Sequence, residues 1–369
     1  PTQQRILYEA AALGGLSEEA LKSFMKKESY SKVTDPRVIS ILPGRTKLAY
    51  SAFIYSFAEA IMKPKSWYAF GKKPVEIAER VAAVCMSAKV KVNKTDLSRC
   101  DGRVSNVARL LESAVMLRAF SKDYHPLLIE CMAKQHHQKA YSATGYKYAT
   151  SNSRASGSSE TAEFNSFMNA FIAYTGKRNS GKSHEEALAE LGIYGGDDGL
   201  TADMDDEQYV RAAKAIGQVL EIESVLRGGT GVDFLARLYG PDVWFGAADS
   251  MCDVRRQLLK LHLTGALSTT VSNLEKLRQK LSGFALTDMN TPVLGTYARI
   301  IVERFGEIKI DQSLGVANYW SKYDRTVQWP NADSGWMYAE FERTFPEFDL
   351  PRFSCWLERL EAGEVNPLC

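Results

Sequence analysis

The chain has little cysteine and none of it is paired. Its six cysteines (Cys85, Cys100, Cys131, Cys252, Cys355 and Cys369) are scattered, with no C-x2-C spacing. That argues against a disulfide framework and a zinc knuckle, and for a reducing compartment. Cys131 with His136 and His137 is the one cluster resembling metal ligands, and it lacks the second pair a closed zinc site needs. No apolar run reaches roughly 18 residues and no segment has the build of a signal peptide. Internal repeats are absent. A strong net charge is missing too, at +2 over 369 residues, while 45% hydrophobic and 24% charged is the make-up of an ordinary soluble globular protein. The first residue is Pro1 rather than Met, which sets the expectation of a piece excised from something longer.

The small net charge hides local asymmetry. From Lys22 to Lys47 seven Lys or Arg face only Glu28 and Asp35, and from Lys89 to Arg109 six face Asp96 and Asp101. Clustered positive charge suggests a track for a polyanion rather than a generally basic protein. At this length the chain exceeds one compact core and should divide.

Periodicity gives the organisation. Pro1 to Lys27 reads as helical through Leu21, Phe24 and Met25, and Glu28 to Lys47 as a basic loop or extended segment. Helices are expected at Tyr50 to Ile61 and Val75 to Cys85. A strand over Ala88 to Leu97 carries Asp96 near its carboxyl end. Asn106 to Phe120 is expected to be helical, with Val107, Leu110, Leu111, Ala114 and Val115 as its apolar side. Tyr141 to Ser159 is expected to be an ordered loop. A helix over Thr161 to Tyr174 sets an apolar stripe (Phe164, Phe167, Met168, Phe171) beside a polar one (Thr161, Asn165, Asn169). Strand, turn and strand follow over Leu191 to Ala202, then a helix from Asp205 to Leu220, a strand to Arg227, a hairpin region to Tyr239 and a mostly helical remainder.

Three motifs in order carry the chemistry: Asp96-x4-Asp101, then Ser156-Gly157-x3-Thr161-x3-Asn165, then Gly196-Asp197-Asp198. Adjacent aspartates at a tight turn, met by a carboxylate from another strand, can hold two divalent cations roughly 3.5–4 Å apart. Asp96 and Asp197 are the expected principal ligands, with Asp198 in support. Asp101 can accept a hydrogen bond from a ribose hydroxyl, directly or through Asn165 or Thr161, which share one helix face. Ser156 and Gly157 can offer backbone N–H groups to a nucleotide. Lys27, Lys32, Arg37 and Arg45 supply cations for a triphosphate, with Arg37 suited to bidentate contact. Gly176 to Ser183 also satisfies G-x4-G-K-[ST]. A phosphate loop needs a buried strand just before it, whereas Phe164 to Ile172 has helical period, so this segment reads as a polar connector before a helix capped by Ser183 and Glu186.

Together these residues resemble the RNA-dependent RNA polymerases of positive-strand RNA viruses. Asp96-x4-Asp101 matches motif A, Ser156 to Asn165 motif B and Gly196-Asp197-Asp198 motif C. Lys27-Glu28 to Ile39 looks like motif F, Asp205 to Arg227 occupies the place of motif D, and Val232 to Arg237 resembles motif E. Asp203 to Tyr209 and Thr291 to Tyr297 look most like nodavirus-type replicases. The resemblance implies an α+β right-hand fold: fingers over 1–88 with an insertion at 120–150, palm over 89–119 and 151–239, and helical thumb over 240–369. It further implies Mg2+, with Mn2+ as a substitute, RNA template and nascent RNA, and nucleoside triphosphates. Self-association in a replication complex of the host cytoplasm is expected as well, with membrane contact only through regions absent from this chain. Lys214 and Arg227 are alternative proton donors to pyrophosphate. A reverse transcriptase, or a non-catalytic RNA-binding scaffold, stands as the alternative.

Overall fold

The structure, a computed structural model, describes residues 20–26, 33–261, 271–306, 325–332 and 334–359, with residues 8, 12 and 263. The chain forms two compact units. One is built from Asp35–Gly71 and Ala88–Leu226 with the segment up to Lys26. The other comprises Lys72–Ser87, the segment from Arg227 onward, and Lys27–Thr34.

The first unit holds two sheets. The central one, order β6-β7-β3-β8, is antiparallel throughout and joins β3 (Lys91–Leu97), β6 (Ile193–Gly195), β7 (Asp198–Ala202) and β8 (Leu220–Leu226). Its core packs Leu97, Tyr194 and Leu220 against Met168, Ile172 and Ala173 of the Thr161–Asn179 helix and Tyr209, Ala212 and Ala213 of the Asp206–Ala215 helix. These two helices meet closely at Gly176, where an added Cβ would lie 3.4 Å from the Tyr209 Cα. A second core gathers Tyr50, Phe57, Met116, Leu128 and Phe164.

The other sheet, order β2-β1-β4-β5, corrects two expectations. Leu21–Met25 is a strand, β1, not the end of a helix. It pairs antiparallel with β2 (Val38–Ile41) and parallel with β4 (Lys139–Ser142). Leu21 and Ser23 are buried while Lys22 and Phe24 are exposed, so the alternation of a strand governs burial over Leu21 to Phe24. Apolar spacing alone had suggested a helix. Likewise Tyr141 to Ser159 opens with a hairpin of β4 and β5 (Lys147–Ala149), turned at Gly145, before the loop begins.

Elsewhere the elements match more closely. Helices span Gly44–Phe57, continued by a wider turn over Ala58–Met62, Pro74–Ser87 and Asn106–Ala119. In the last of these Val107 and Leu110 are exposed, while Ala108, Arg109, Glu112 and Met116 are buried. An ionic network, described below, turns the charged face inward. The Thr161 helix runs to Asn179, so the G-x4-G-K-S pattern begins inside its final turn with no strand before it. The capping box of Ser183 and Glu186 is present.

In the second unit β9 (Asp233–Phe234), β10 (Arg237–Tyr239) and β11 (Ser250–Cys252) form a small antiparallel sheet. Helices follow at Val254–Leu261, Asn273–Thr287, Leu294–Phe305, Ser334–Thr344 and Leu350–Arg359. Arg237 Nη1, donating to both carboxylate oxygens of Asp288 at 2.7 and 2.8 Å, ties that sheet to the end of the Asn273 helix. Among the described residues no helix is long and apolar enough to cross a membrane.

Candidate metal centre and its surroundings

The register of the central sheet brings the acidic residues together. Thr95 of β3 pairs with Gly199 of β7, so one step on Asp96 comes level with Asp198. Gly195 and Asp198 pair across a two-residue loop of Gly196 and Asp197. Gly196 takes φ of +73°, open to glycine at little cost at the first position of a tight hairpin. Asp197 thus sits on the tip. One carboxylate oxygen from each of Asp96, Asp197 and Asp198 lies within 4.8 Å of the other two, the only such gathering of possible metal ligands among the described residues.

Charge crowding is visible at Asp96. Its carboxylate is partly desolvated, and the neighbouring Asp197 and Glu221 add to the effect, raising its pKa above the ordinary value. Three such oxygens at this spacing fit a divalent cation, which would relieve the repulsion. The Cys131, His136 and His137 cluster does not form such a group.

The catalytic-turn candidate is held from below by the Thr161 helix. Ser166 Oγ accepts from the Gly196 N–H at 2.8 Å. Asn169 Nδ2 donates to the carbonyls of Asp197 at 2.8 Å and Gly196 at 3.4 Å. Of the polar stripe expected from sequence, Asn169 is therefore buried and spent on the turn. The stripe's spacing was legible, but nothing in the sequence named the turn as partner of Ser166 and Asn169.

One turn earlier Asn165 donates from Nδ2 to Asp101 Oδ1 at 2.9 Å. Burial raises the Asp101 pKa. Asn165 and Arg154 pull it back, Asp197 adds to the rise and the charge of Arg37 opposes it; the net direction is upward. Thr161 does not join them, because its hydroxyl donates to the carbonyls of Ala155 and Ser158 at 3.2 and 3.1 Å.

Ser156 and Gly157 differ from expectation as well. The Gly157 N–H donates to Ser40 O at 2.9 Å, and Ser156 Oγ accepts from Ser40 N at 3.2 Å. These groups dock the loop on β2 rather than face a nucleotide. The fit is close: a Cβ on Gly157 would lie 2.5 Å from Ser40 O.

Of the expected phosphate-binding cations, Arg37 and Arg45 are exposed, Arg45 in the first turn of its helix. Lys27 and Lys32 lie outside the described residues. Lys214 is exposed near the end of the Asp206 helix. Arg227 belongs to the second unit, where its guanidinium donates to the carbonyls of Cys85, Met86 and Trp244 at 3.2 to 3.3 Å. Lys182 of the phosphate-loop pattern pairs with Glu190 at 2.7 Å.

Sequence motifs missed a buried network beside the site. Arg154 contacts Glu112 and Glu160 at 2.6 and 2.7 Å, and Arg109 contacts the same two at 3.2 and 2.6 Å. Tyr50 donates to Glu160 at 2.8 Å. The only signal was the odd placement of Arg109 and Glu112 on a helix whose apolar stripe faces elsewhere.

No protein-family model matches the chain. It is 32% identical over 320 residues to the RNA-directed RNA polymerase of greasy grouper nervous necrosis virus, covering 85% of this chain and 32% of that protein. Identity to the corresponding protein of striped jack nervous necrosis virus is 33% over 321 residues, with the same coverage. For Flock house virus it is 27% over 323 residues, covering 83% of this chain and 31% of the relative. The chain thus spans about a third of the length of these relatives. In fold it resembles the RNA-dependent RNA polymerase of a human picorbirnavirus, with TM-score 0.57 over 71% of this chain and 52% of that one. An insertion-loop deletion mutant of that polymerase gives 0.58 over 90% and 64%, both at 11% identity.

Proposed function

We propose that this chain, a homologue of part of the nodavirus RNA-directed RNA polymerases, performs template-directed RNA synthesis by nucleotidyl transfer. The observation that carries the reading is the convergence of Asp96, Asp197 and Asp198 on one point of the central sheet. Asp96 and Asp197 would hold the metal, Mg2+ with Mn2+ as substitute, and Asp198 would support them. When bound, the metal supplies charge neutralisation at the transferred phosphoryl group and lowers the pKa of an attached hydroxyl.

The rest of the site binds and orients. The 3′-oxygen of the growing strand, giving up its proton to solvent, forms a bond to the α-phosphate of a nucleoside triphosphate, and the bond from that phosphorus to the α–β bridging oxygen breaks to release pyrophosphate. Asp101 and Asn165 would read the ribose hydroxyl, from a rigid helix face. Arg37 and Arg45, with Lys27 and Lys32, would draw in the triphosphate. The leaving pyrophosphate takes a proton, and Lys214 suits the donor role better than Arg227. A guanidinium gives up its proton far less readily, and that of Arg227 is committed to backbone carbonyls.

In this reading the central sheet with its two helices is the palm, the β1 to β5 sheet and its neighbours belong to the fingers, and the helices from Val254 onward form the thumb. RNA template and nascent RNA are the macromolecular partners. Assembly in membrane-bound replication complexes of the host cytoplasm, through segments outside this chain, completes the proposal.

The test is extension of a primed RNA template with labelled ribonucleotides and Mg2+ or Mn2+. Template-dependent incorporation is expected. Tight RNA binding with no incorporation under either metal would overturn the reading in favour of a scaffold, and preference for deoxyribonucleotides would favour a reverse transcriptase.

A further inference from the structure

We infer that Arg154, which lies outside every motif above, fixes the orientation of the Asn165 amide and thereby sets discrimination between ribo- and deoxyribonucleotides. This rests on the polymerase reading. Arg154 is a positioning residue in this account, acting through Asn165.

Its side chain is wholly buried, and each edge of the guanidinium is committed. Nη2 meets Glu112 at 2.6 Å, Nη1 meets Glu160 at 2.7 Å, and the plane lies over the Phe164 ring, 5.6 Å from its centroid. Glu160 is held in turn by Arg109 and Tyr50, and Glu112 by Arg109. Two arginines balance two glutamates, so the cluster is neutral within itself. The fork has no alternative orientation that keeps these bonds.

What remains is Nε, which donates to Asn165 Oδ1 at 3.0 Å. A guanidinium nitrogen can only donate, so the amide must present its oxygen there and its Nδ2 to Asp101. Turning the amide over would set donor against donor at Arg154 and oxygen against carboxylate at Asp101. The loop reinforces this, because the Arg154 N–H also donates to Asp101 O at 2.9 Å. Among the described residues the hydrogen bond from Asn165 reaches only Oδ1 of Asp101, leaving Oδ2 to meet a hydroxyl. Lysine, a compact cation on a flexible stem, cannot reproduce three in-plane donations.

The experiment measures kcat/KM for ATP and 2′-deoxyATP on one primed RNA template with wild type, R154K, N165A and the double variant, each checked by thermal melting. A site that hydrogen-bonds a hydroxyl rejects the analogue lacking it by up to about 10^5-fold, so R154K should lower the ribo/deoxy ratio by about tenfold or more. R154K should change the ratio little in the N165A background, since both act through one bond. If R154K does not fold, E160Q and Tyr50→Phe carry the same test. They loosen one anchor of the guanidinium, and the ratio should fall by about threefold, within the range of one neutral hydrogen bond. An unchanged ratio in R154K, or in both milder variants where R154K is unfolded, would overturn the inference, even if melting temperature or the rate with both nucleotides falls. A wild-type chain that extends primers without preferring ATP sinks the hydroxyl-reading assignment and this inference with it; one that extends none sinks the polymerase reading itself.

Discussion

Replacing Asn169 by Asp changes one side-chain group without changing size, and it should damage the protein more than truncation to Ala. The Nδ2 of the fully buried Asn169 donates to the carbonyls of Gly196 and Asp197. Truncation removes that donor and leaves a buried carbonyl poorly satisfied, at a cost of about 1–3 kcal/mol. The isosteric carboxylate aims acceptors at acceptors, close to the acidic cluster. An uncompensated buried charge costs about 3–5 kcal/mol. N169D should therefore unfold at lower urea than N169A, with nucleotide incorporation lost in parallel because the turn carrying Asp197 shifts. The introduced carboxyl regains a donor once protonated. Its folded-state pKa is raised, so the penalty is full above that folded value, shrinks as pH falls from it toward the unfolded value of about 3.9, and is relieved below that. Urea melts of both variants at several pH values read this directly. N169D as stable and active as wild type at neutral pH would refute the reasoning.

Three further outcomes follow from the geometry. Asp197→Asn changes an exposed carboxylate, so melting should hardly move while incorporation falls by more than about a hundredfold, beyond the range for outer-shell partners of a metal. Gly157→Ala places a methyl 2.5 Å from the Ser40 carbonyl and should cost about 1–3 kcal/mol of stability in urea unfolding, by forcing the loop off β2. Asp203 accepts from the N–H groups of Lys89, Val90 and Lys91 at 2.6, 2.8 and 3.0 Å. Burial alone would raise its pKa, but these bonds outweigh burial and hold it below the ordinary value. The stability it contributes is present above the unfolded pKa, about 3.9, and is lost as pH falls through the lower folded value. Asp203→Asn should thus cost about 1 kcal/mol at neutral pH, and the gap to wild type in urea should close below about pH 4.

Much of this was legible in the sequence because it rests on local signals. The alternation of Val90 and Val92 and the Gly196-Asp197-Asp198 turn located β3 and its neighbouring hairpin, and pairing between strands did the rest. The Thr161 helix and its polar stripe came from spacing. What stayed hidden depends on tertiary partners. β1 was mistaken for helix because Leu21, Phe24 and Met25 fit a helical period, whereas pairing with β2 and β4 decided the matter. Arg154 was missed because a buried arginine is tolerable only beside Glu112 and Glu160, which lie 42 and 6 residues away. Ser156 and Gly157 fit the motif, yet their polar groups turn to β2, which no local pattern announces.

The central claim concerns the metal, and the most direct measurement is an anomalous difference map from crystals soaked in Mn2+. The account predicts manganese among the carboxylates of Asp96, Asp197 and Asp198, with the peak abolished in Asp197→Asn. Manganese bound elsewhere, or absent from this cluster at concentrations that support nucleotide incorporation, would contradict it.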